Sequence, residues 1–376
     1  MEDFIPVNEP YLNGNEFSYL KKCIETGWIS SEGPFVREFE KKMAYRIGRK
    51  HAIAVTNGSS ALDASIEALG IQKGDEIIVP TFTIISCLNQ IIRCGAIPVL
   101  VDSDPLTWNM DVTDIEHKIT NRTKAIMAVH IYGLTVDMDP IISLAKKYNL
   151  FVIEDAAEAI GQTYKGRECG SFGDISTFSF YPNKHITTGE GGMIFTDSDD
   201  LANKCRKLRN LYFDNSNRFI HEDLGWNLRM TNLQAGLGIA QLENLDTVLA
   251  KKRSLGKLYH ELLSNIKGIQ LPLVNTDFSN NVYWVFGILL KDSYQINARQ
   301  LREYLFSKGV GTRPFFYPMH LQPVFRKLNL FGGKSFPVSE MLYKQGLYLP
   351  SGAGLENIKI EKVCNQLISI LNAYRK

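Results

Sequence analysis

TFSFYPNKHITTGEGGM, residues 177–193, opens as a strand of alternating aromatic and small residues and breaks at Pro182. Proline has no amide hydrogen for a sheet ladder, so the strand ends there. Lys184 and His185 follow, then Gly189-Glu190-Gly191-Gly192 and a second apolar run, GMIFT (192–196). A lysine set between two buried strands is an unusual use of a cation. Burial strips water from the ammonium, lowers its pKa and makes the amine a nucleophile able to form Schiff bases. The rest of the chain has to supply a partner for that amine.

Working outward, the same kind of strand recurs at HAIAVTN (51–57), EIIVP (76–80), IPVLVD (97–102), KAIMAVHIY (124–132), LFVIEDA (150–156) and ISTFSF (175–180). Most of these are continuous Val/Ile runs, as in strands covered on both faces. Helical patterns lie between them. SSALDASIEALG (59–70) stops at Gly70, and DMDPIISLAKKYN (137–149) offers Asp139 as N-cap and Pro140 as first helical residue. The alternation predicts an α/β fold with a mostly parallel seven-stranded sheet. From Met230 the pattern changes. Residues 231–266 read as one long helix capped by Thr231 or Asn232. A polar loop (275–281), the strand-like YWVFGILL (283–290), a helix over 297–309 and a C-terminal helix near 356–373 follow. We therefore expect a large domain, 1–245, and a smaller α+β C-terminal domain, 246–376.

The totals bound the function. A chain of 376 residues suggests two lobes, and 44% apolar with 22% charged residues is ordinary globular composition. A formal net charge of +2 argues against nucleic acid as a partner. The six cysteines are scattered, with no C-x-x-C pair, which argues against a metal site or disulfide framework and for a reducing compartment. The acidic start MEDFIPVNEPYLNGNEF lacks the apolar core of a signal peptide, and no run is long enough for a membrane span. The expected location is cytoplasmic.

Three strand ends carry chemistry. TNGSSAL (56–62) passes from a strand into a helix, and its small residues leave amides at the helix N-terminus free to hold an anion. Gly and Ser also suit such a turn for geometry alone. VIEDAAEAIG (152–161) ends an apolar strand in Glu154 and Asp155, with Glu158 following. A carboxylate there is costly unless it meets a cation or donors, although Asp155 also fits a helix N-cap. Lys184 is the third. Together, an anion cradle, a buried carboxylate and a Schiff-base lysine match the phosphate, pyridine nitrogen and aldehyde of pyridoxal 5'-phosphate.

With these motifs the chain resembles the sugar-nucleotide aminotransferases of the DegT/DnrJ/EryC1/StrS family, fold type I of the pyridoxal-phosphate enzymes. The likeness runs over nearly the whole length: GWISSEG (27–33), TNGSSAL, GDEIIVPTFT (74–83), AVHIYG (128–133), VIEDAAEA, GDISTFSF with Lys184 and GEGGM, GWNLRMTNLQAGLGIAQL (225–242) and RPFFYPMH (313–320). Within the family it is most similar to members that aminate C4 of GDP-4-keto-6-deoxymannose. The resemblance implies that Lys184 binds the cofactor aldehyde and shuttles protons, and that Asp155 pairs with the pyridine nitrogen. It places Glu158 near the phenolic oxygen, and Gly58, Ser59, Ser60 and Ser179 around the phosphate. Asn227 is expected to reach the phosphate from the second subunit of a homodimer. The sugar-nucleotide pocket would draw on Trp28, Ile29, Ser30, Ser31, His130, His185, Arg229, Tyr317 and His320, with glutamate as amino donor. In PTFTIIS (80–86), Ile84 stands where relatives carry a ring-stacking aromatic.

Sister enzymes with histidine in place of the lysine remove the C3 hydroxyl instead. Here the position five residues after Ser179 is Lys184, and His185 is one further on, so the count favours transamination over dehydration. An NAD-binding oxidoreductase would want G-x-G-x-x-G after the first strand, which TNGSSAL is not. A sensor-type regulator would carry an added DNA-binding domain.

Overall fold

In the computed structural model, which describes residues 4–213 and 219–376, the Val- and Ile-rich runs pair into one sheet. Its first strands are β1 (His51–Val55), β2 (Glu76–Pro80), β3 (Ile97–Val101), β4 (Thr123–Val129) and β5 (Phe151–Asp155). After a hairpin of β6 (Thr163–Tyr164) and β7 (Arg167–Glu168) come β8 (Ile175–Ser179) and β9 (Gly192–Thr196). The spatial order is β1-β9-β8-β5-β4-β2-β3. The run from β8 to β3 pairs in parallel, and β9 is antiparallel to both neighbours. Antiparallel neighbours need no helical crossover. The lysine-bearing segment between β8 and β9 therefore turns straight back across the carboxyl edge of the sheet.

Alternate residues of each strand pack against helices on opposite faces of the sheet. Ile53, Val79, Met127 and Ile153 pack with the helices Gly58–Ala68, Ser86–Arg93 and Asp199–Arg209. On the other face Ala54, Phe178 and Phe195 pack with Pro34–Ile47 and Asn232–Glu243, while Ile78, Ile126 and Val152 pack with Met138–Tyr148. Covered on both sides, the strands read as unbroken apolar runs.

Two helix expectations need correction. The stretch 231–266 forms two helices, Asn232–Glu243 and Leu245–Leu263, separated at Asn244. The first buries Ala235 and Ile239 in the core over the large sheet, and the second starts in that same core with Leu245 and Leu249 and ends in a different one with Leu255, Tyr259 and Leu263. Thr231 is the N-cap: its hydroxyl accepts from the Gln234 amide while the Gln234 side chain accepts from the Thr231 amide, a complete capping box. In Met138–Tyr148 the N-cap is Asp137, and Pro140 is the third helical residue rather than the first. First-turn amides have no intrahelical acceptor, so proline costs nothing there either.

The second core sits on an antiparallel sheet ordered β10 (Ile269–Gln270), β11 (Phe286–Leu290), β13 (Gly346–Leu349) and β12 (Arg313–Pro314). The helices Leu245–Leu263, Ala298–Ser307 and Asn357–Ala373 cover it with Tyr259, Leu301 and Leu367. Ile5 joins this core, held by backbone bonds to Gly309 and Gly311. Asp102, just past β3, accepts the Val338 and Ser339 amides at 3.0 and 2.8 Å and so caps the helix Pro337–Gln345. That cap ties the second unit over the carboxyl edge of the large sheet. Among the described residues no helix is long and apolar enough to cross a membrane.

Candidate active site

A cavity of about 600 Å³ opens at the carboxyl ends of the parallel strands, where open α/β sheets place their ligands. Its floor is built from Asn57–Ser59 after β1, Thr83, Ile84 and Ser86 after β2, Asp155 and Glu158 after β5, and Ser179 with Lys184 after β8. Its roof comes from the second unit: Trp284, Phe316 and Tyr348.

The expected anion cradle is the start of the helix Gly58–Ala68. Asn57 caps it by accepting the Ser60 amide at 2.8 Å. This corrects the expectation for Ser60: its amide is spent inside the turn, and its hydroxyl accepts from Thr56 at 3.1 Å. The Gly58 and Ser59 amides precede it and have no carbonyl one turn back to bond. Gly58 has to be glycine, because a Cβ there would lie 2.8 Å from the Ser179 Cβ. The Ser59 hydroxyl meets Ser86 Oγ at 2.7 Å.

Asp155 ends β5, nearly out of solvent, accepting the Ala157 amide at 3.0 Å and the Cys87 thiol at 3.3 Å. Burial raises its pKa against the pull of those donors and of Lys184. The Glu158 carboxylate accepts the Tyr132 amide at 2.9 Å and stands 3.8 Å from Lys184 Nζ. Burial pushes Glu158 up and Lys184 down, and each holds back the other's shift by attraction. Lys184 Nζ also lies 3.8 Å from the centroid of the Trp284 ring. A lysine with its proton affinity lowered, two acids and a helix N-terminus thus share one chamber. Such a set can bind a carbonyl covalently, hold an anion and move protons.

The structure scatters other expected residues. His185 does not line the cavity: its Nδ1 donates to the Ile160 carbonyl at 3.0 Å, and burial takes its pKa down to about 3. His130 lines the cavity, but its ring is wholly buried. Its Nε2 meets Glu154 at 3.0 Å and its Nδ1 accepts the Val136 amide at 3.2 Å. Glu154 in turn accepts the Gly170 and Phe172 amides, so its charge is satisfied as structure. Trp28 and Ser30 give their carbonyls to Asn232, with Ile29 exposed beside them and Ser31 following. Arg229 donates to Asn210 at 2.7 Å, and Asn227 forms a bridge with the same residue. Tyr317 packs edge-on against Tyr343, and His320 is buried between Thr81 and Glu340. None of Trp28–Ser31, Asn227, Arg229, Tyr317 and His320 lines the cavity of its own chain. Sequence reasoning missed Ser86, Cys87, Trp284 and Tyr348. The serine beside the PTFT segment was the one available signal, since YWVFGILL reads as plain core.

Comparison with known proteins now adds a lineage. A model of the DegT/DnrJ/EryC1/StrS aminotransferase family matches residues 10–368. The chain belongs to that family. It is 45% identical to the GDP-perosamine synthase of Caulobacter vibrioides over 368 residues, 98% of each chain. It is 40% identical to the GDP-perosamine synthase of Vibrio cholerae, over 98% of this chain and 99% of that one. Among solved structures, the aminotransferase from Psychrobacter cryohalolentis superposes with a TM-score of 0.92 at 29% identity, covering 99% of each chain.

Proposed function

We propose that this family member is a pyridoxal 5'-phosphate-dependent aminotransferase that carries nitrogen from glutamate to the 4-keto group of a nucleotide-linked 6-deoxysugar. The acceptor is GDP-4-keto-6-deoxymannose and the product GDP-perosamine. The observation that carries this reading is the meeting of Lys184, Asp155 and the free helix end at Gly58–Ser59 in one cavity. The sequence identity with two GDP-perosamine synthases supports the choice of sugar.

The residues present fit the cofactor. The Gly58 and Ser59 amides, with the Ser59 and Ser179 hydroxyls, would hold its phosphate, and Asp155 would keep a proton on the pyridine nitrogen. When bound, the cofactor supplies an electron sink for the carbon losing or gaining nitrogen. Lys184 would bind the aldehyde and, as a free amine, would accept and return a proton at its Nζ. On this reading Glu158 would face the phenolic oxygen, and Ile84, also on the cavity wall, would cover the ring by dispersion.

The reading includes a homodimer in the cytoplasm. Exposed Phe17, Ile24, Trp28, Ile29, Leu224 and Trp226 support a self-association face. Asn227, Arg229 and Trp28–Ser31, which miss their own cavity, would complete the partner's, with Tyr317, His320 and His185 as outer supports. The six cysteines are free thiols, which supports a reducing compartment. We divide the chain at 245 into a cofactor domain and a smaller domain that roofs the site.

The test incubates enzyme, pyridoxal phosphate and glutamate with a panel of 4-keto- and 3-keto-6-deoxy sugar nucleotides, and identifies products by mass spectrometry. An amino sugar formed only from GDP-4-keto-6-deoxymannose is expected. An amino sugar from another member keeps the reaction and changes the substrate. Loss of a hydroxyl without gain of nitrogen overturns transamination.

A further inference from the structure

Trp284 stands at the entry to β11 and is almost fully buried, yet its ring faces the reactive lysine. Contacts of the ring and of the residue's own carbonyl hold Trp284 there. Its Nε1 donates at 2.8 Å to the carbonyl of Asn183, the residue just before Lys184. The Trp284 carbonyl accepts from Lys252 Nζ at 2.9 Å. The ring packs against Tyr132 and Tyr348, with centroids 5.9 and 6.4 Å away. The indole therefore cannot turn from the lysine without breaking a bond to the lysine's own loop.

We propose that Trp284 is a positioning residue for the reaction: its indole face seats the free Lys184 amine, and its Nε1 bond to Asn183 holds the lysine-bearing loop in register with the second unit. The inference rests on the pyridoxal-phosphate reading above. A lysine that alternates between covalent attachment and proton transfer needs a defined resting place while it is free. Indole has the strongest electron-rich face of the aromatic side chains, and it attracts an ammonium most when water is excluded. It acts on the charged amine together with Glu158 at 3.8 Å and Asp155. The Cys87 thiol from the helix Ser86–Arg93, neighbouring His185, Lys252 from the helix Leu245–Leu263, the Tyr132 and Tyr348 phenols against the indole and Glu190 on the cavity wall are the other titratable groups around it. Removal of the ring leaves burial less opposed, so the amine gives up its proton at lower pH.

The experiment uses the full-length enzyme loaded with pyridoxamine phosphate, in which Lys184 is free. Tryptophan fluorescence is titrated against pH in the wild type, Lys184→Met, Trp284→Phe and Trp284→Leu. A step present in the wild type and lost in Lys184→Met and in both Trp284 variants is expected. Single-turnover amination of the keto sugar should move its acidic limb down by roughly one pH unit in Trp284→Leu, and by less in Trp284→Phe, which keeps a ring face. A step that persists in Trp284→Phe overturns the inference. So does a pH profile that keeps its position while only the rate falls, which is what lost packing alone would produce. If Trp284→Leu does not fold, Trp284→Phe carries the fluorescence test by itself. A wild type that neither takes up the cofactor nor aminates any sugar fails the functional reading. A fully active wild type with unshifted variants fails only the role of Trp284.

Discussion

Lys184 and Lys252 are both withdrawn from water, and they keep opposite company. Among the described residues, the hydrogen bonds of Lys252 Nζ go to backbone carbonyls, those of Trp284 and Ser351, and burial takes its pKa down to about 7. Burial lowers Lys184 too, but Glu158 and Asp155 pull back, and its amine faces an open cavity. Desolvation by itself thus makes a structural tie. Desolvation beside carboxylates, at a wall a ligand can reach, makes a reactive amine. The two are joined through Trp284, whose carbonyl holds Lys252 while its ring seats Lys184.

The sharpest way to break this contrast is Lys184→Ala. Turnover should fall on the order of 10⁴-fold with the melting temperature little changed, read by steady-state assay and thermal denaturation. Normal turnover would refute the assignment. Asp155→Asn comes next: it keeps the shape and loses the charge that holds a proton at the cofactor, for a loss on the order of 10²-fold in kcat.

Lys252→Met should leave catalysis less affected than stability. Two buried carbonyls lose their donor, costing about 2 kcal/mol in urea unfolding. The pH dependence separates the two lysines further. With its pKa lowered from 10.5 to about 7, folded Lys252 sheds its proton where the unfolded chain still holds one. Its contribution to stability therefore rises as pH climbs from about 7 towards 10.5, and the Met variant should lack that rise.

Smaller effects belong to the frame around the site. Thr231→Ala removes one half of a capping box and should cost about 1 kcal/mol by the same unfolding measurement. Ile84→Phe adds a ring at the cavity floor and should tighten cofactor binding roughly threefold in equilibrium dialysis. Unchanged or weaker binding would show that the aliphatic side chain already covers that face.

Much of the floor was legible in advance. EIIVP and GMIFT are strands with the bounds read from the sequence, because strands buried on both faces leave continuous apolar runs. Polar residues that interrupt such runs mark strand ends, so Asp155 at the end of β5 and Lys184 beyond the end of β8 stand out in the sequence. Ser60 misled because Asn57 competes for its amide, and a short polar side chain can cap as readily as a ligand can. The roof was illegible for another reason. Trp284 and Tyr348 lie in strand-like segments of the second unit, and periodicity cannot tell an aromatic facing a cavity from one facing a core.

The residues of this chain determined by themselves the strand runs, the polar strand ends and the single lysine between β8 and β9, since these rest on local pattern. Only the tertiary structure decided which of them share a chamber, which histidine turns away and which buried lysine faces the cavity beside carboxylates. Desolvation and through-space charge depend on everything packed around a group, and neighbours such as Trp284 lie a hundred residues away along the chain.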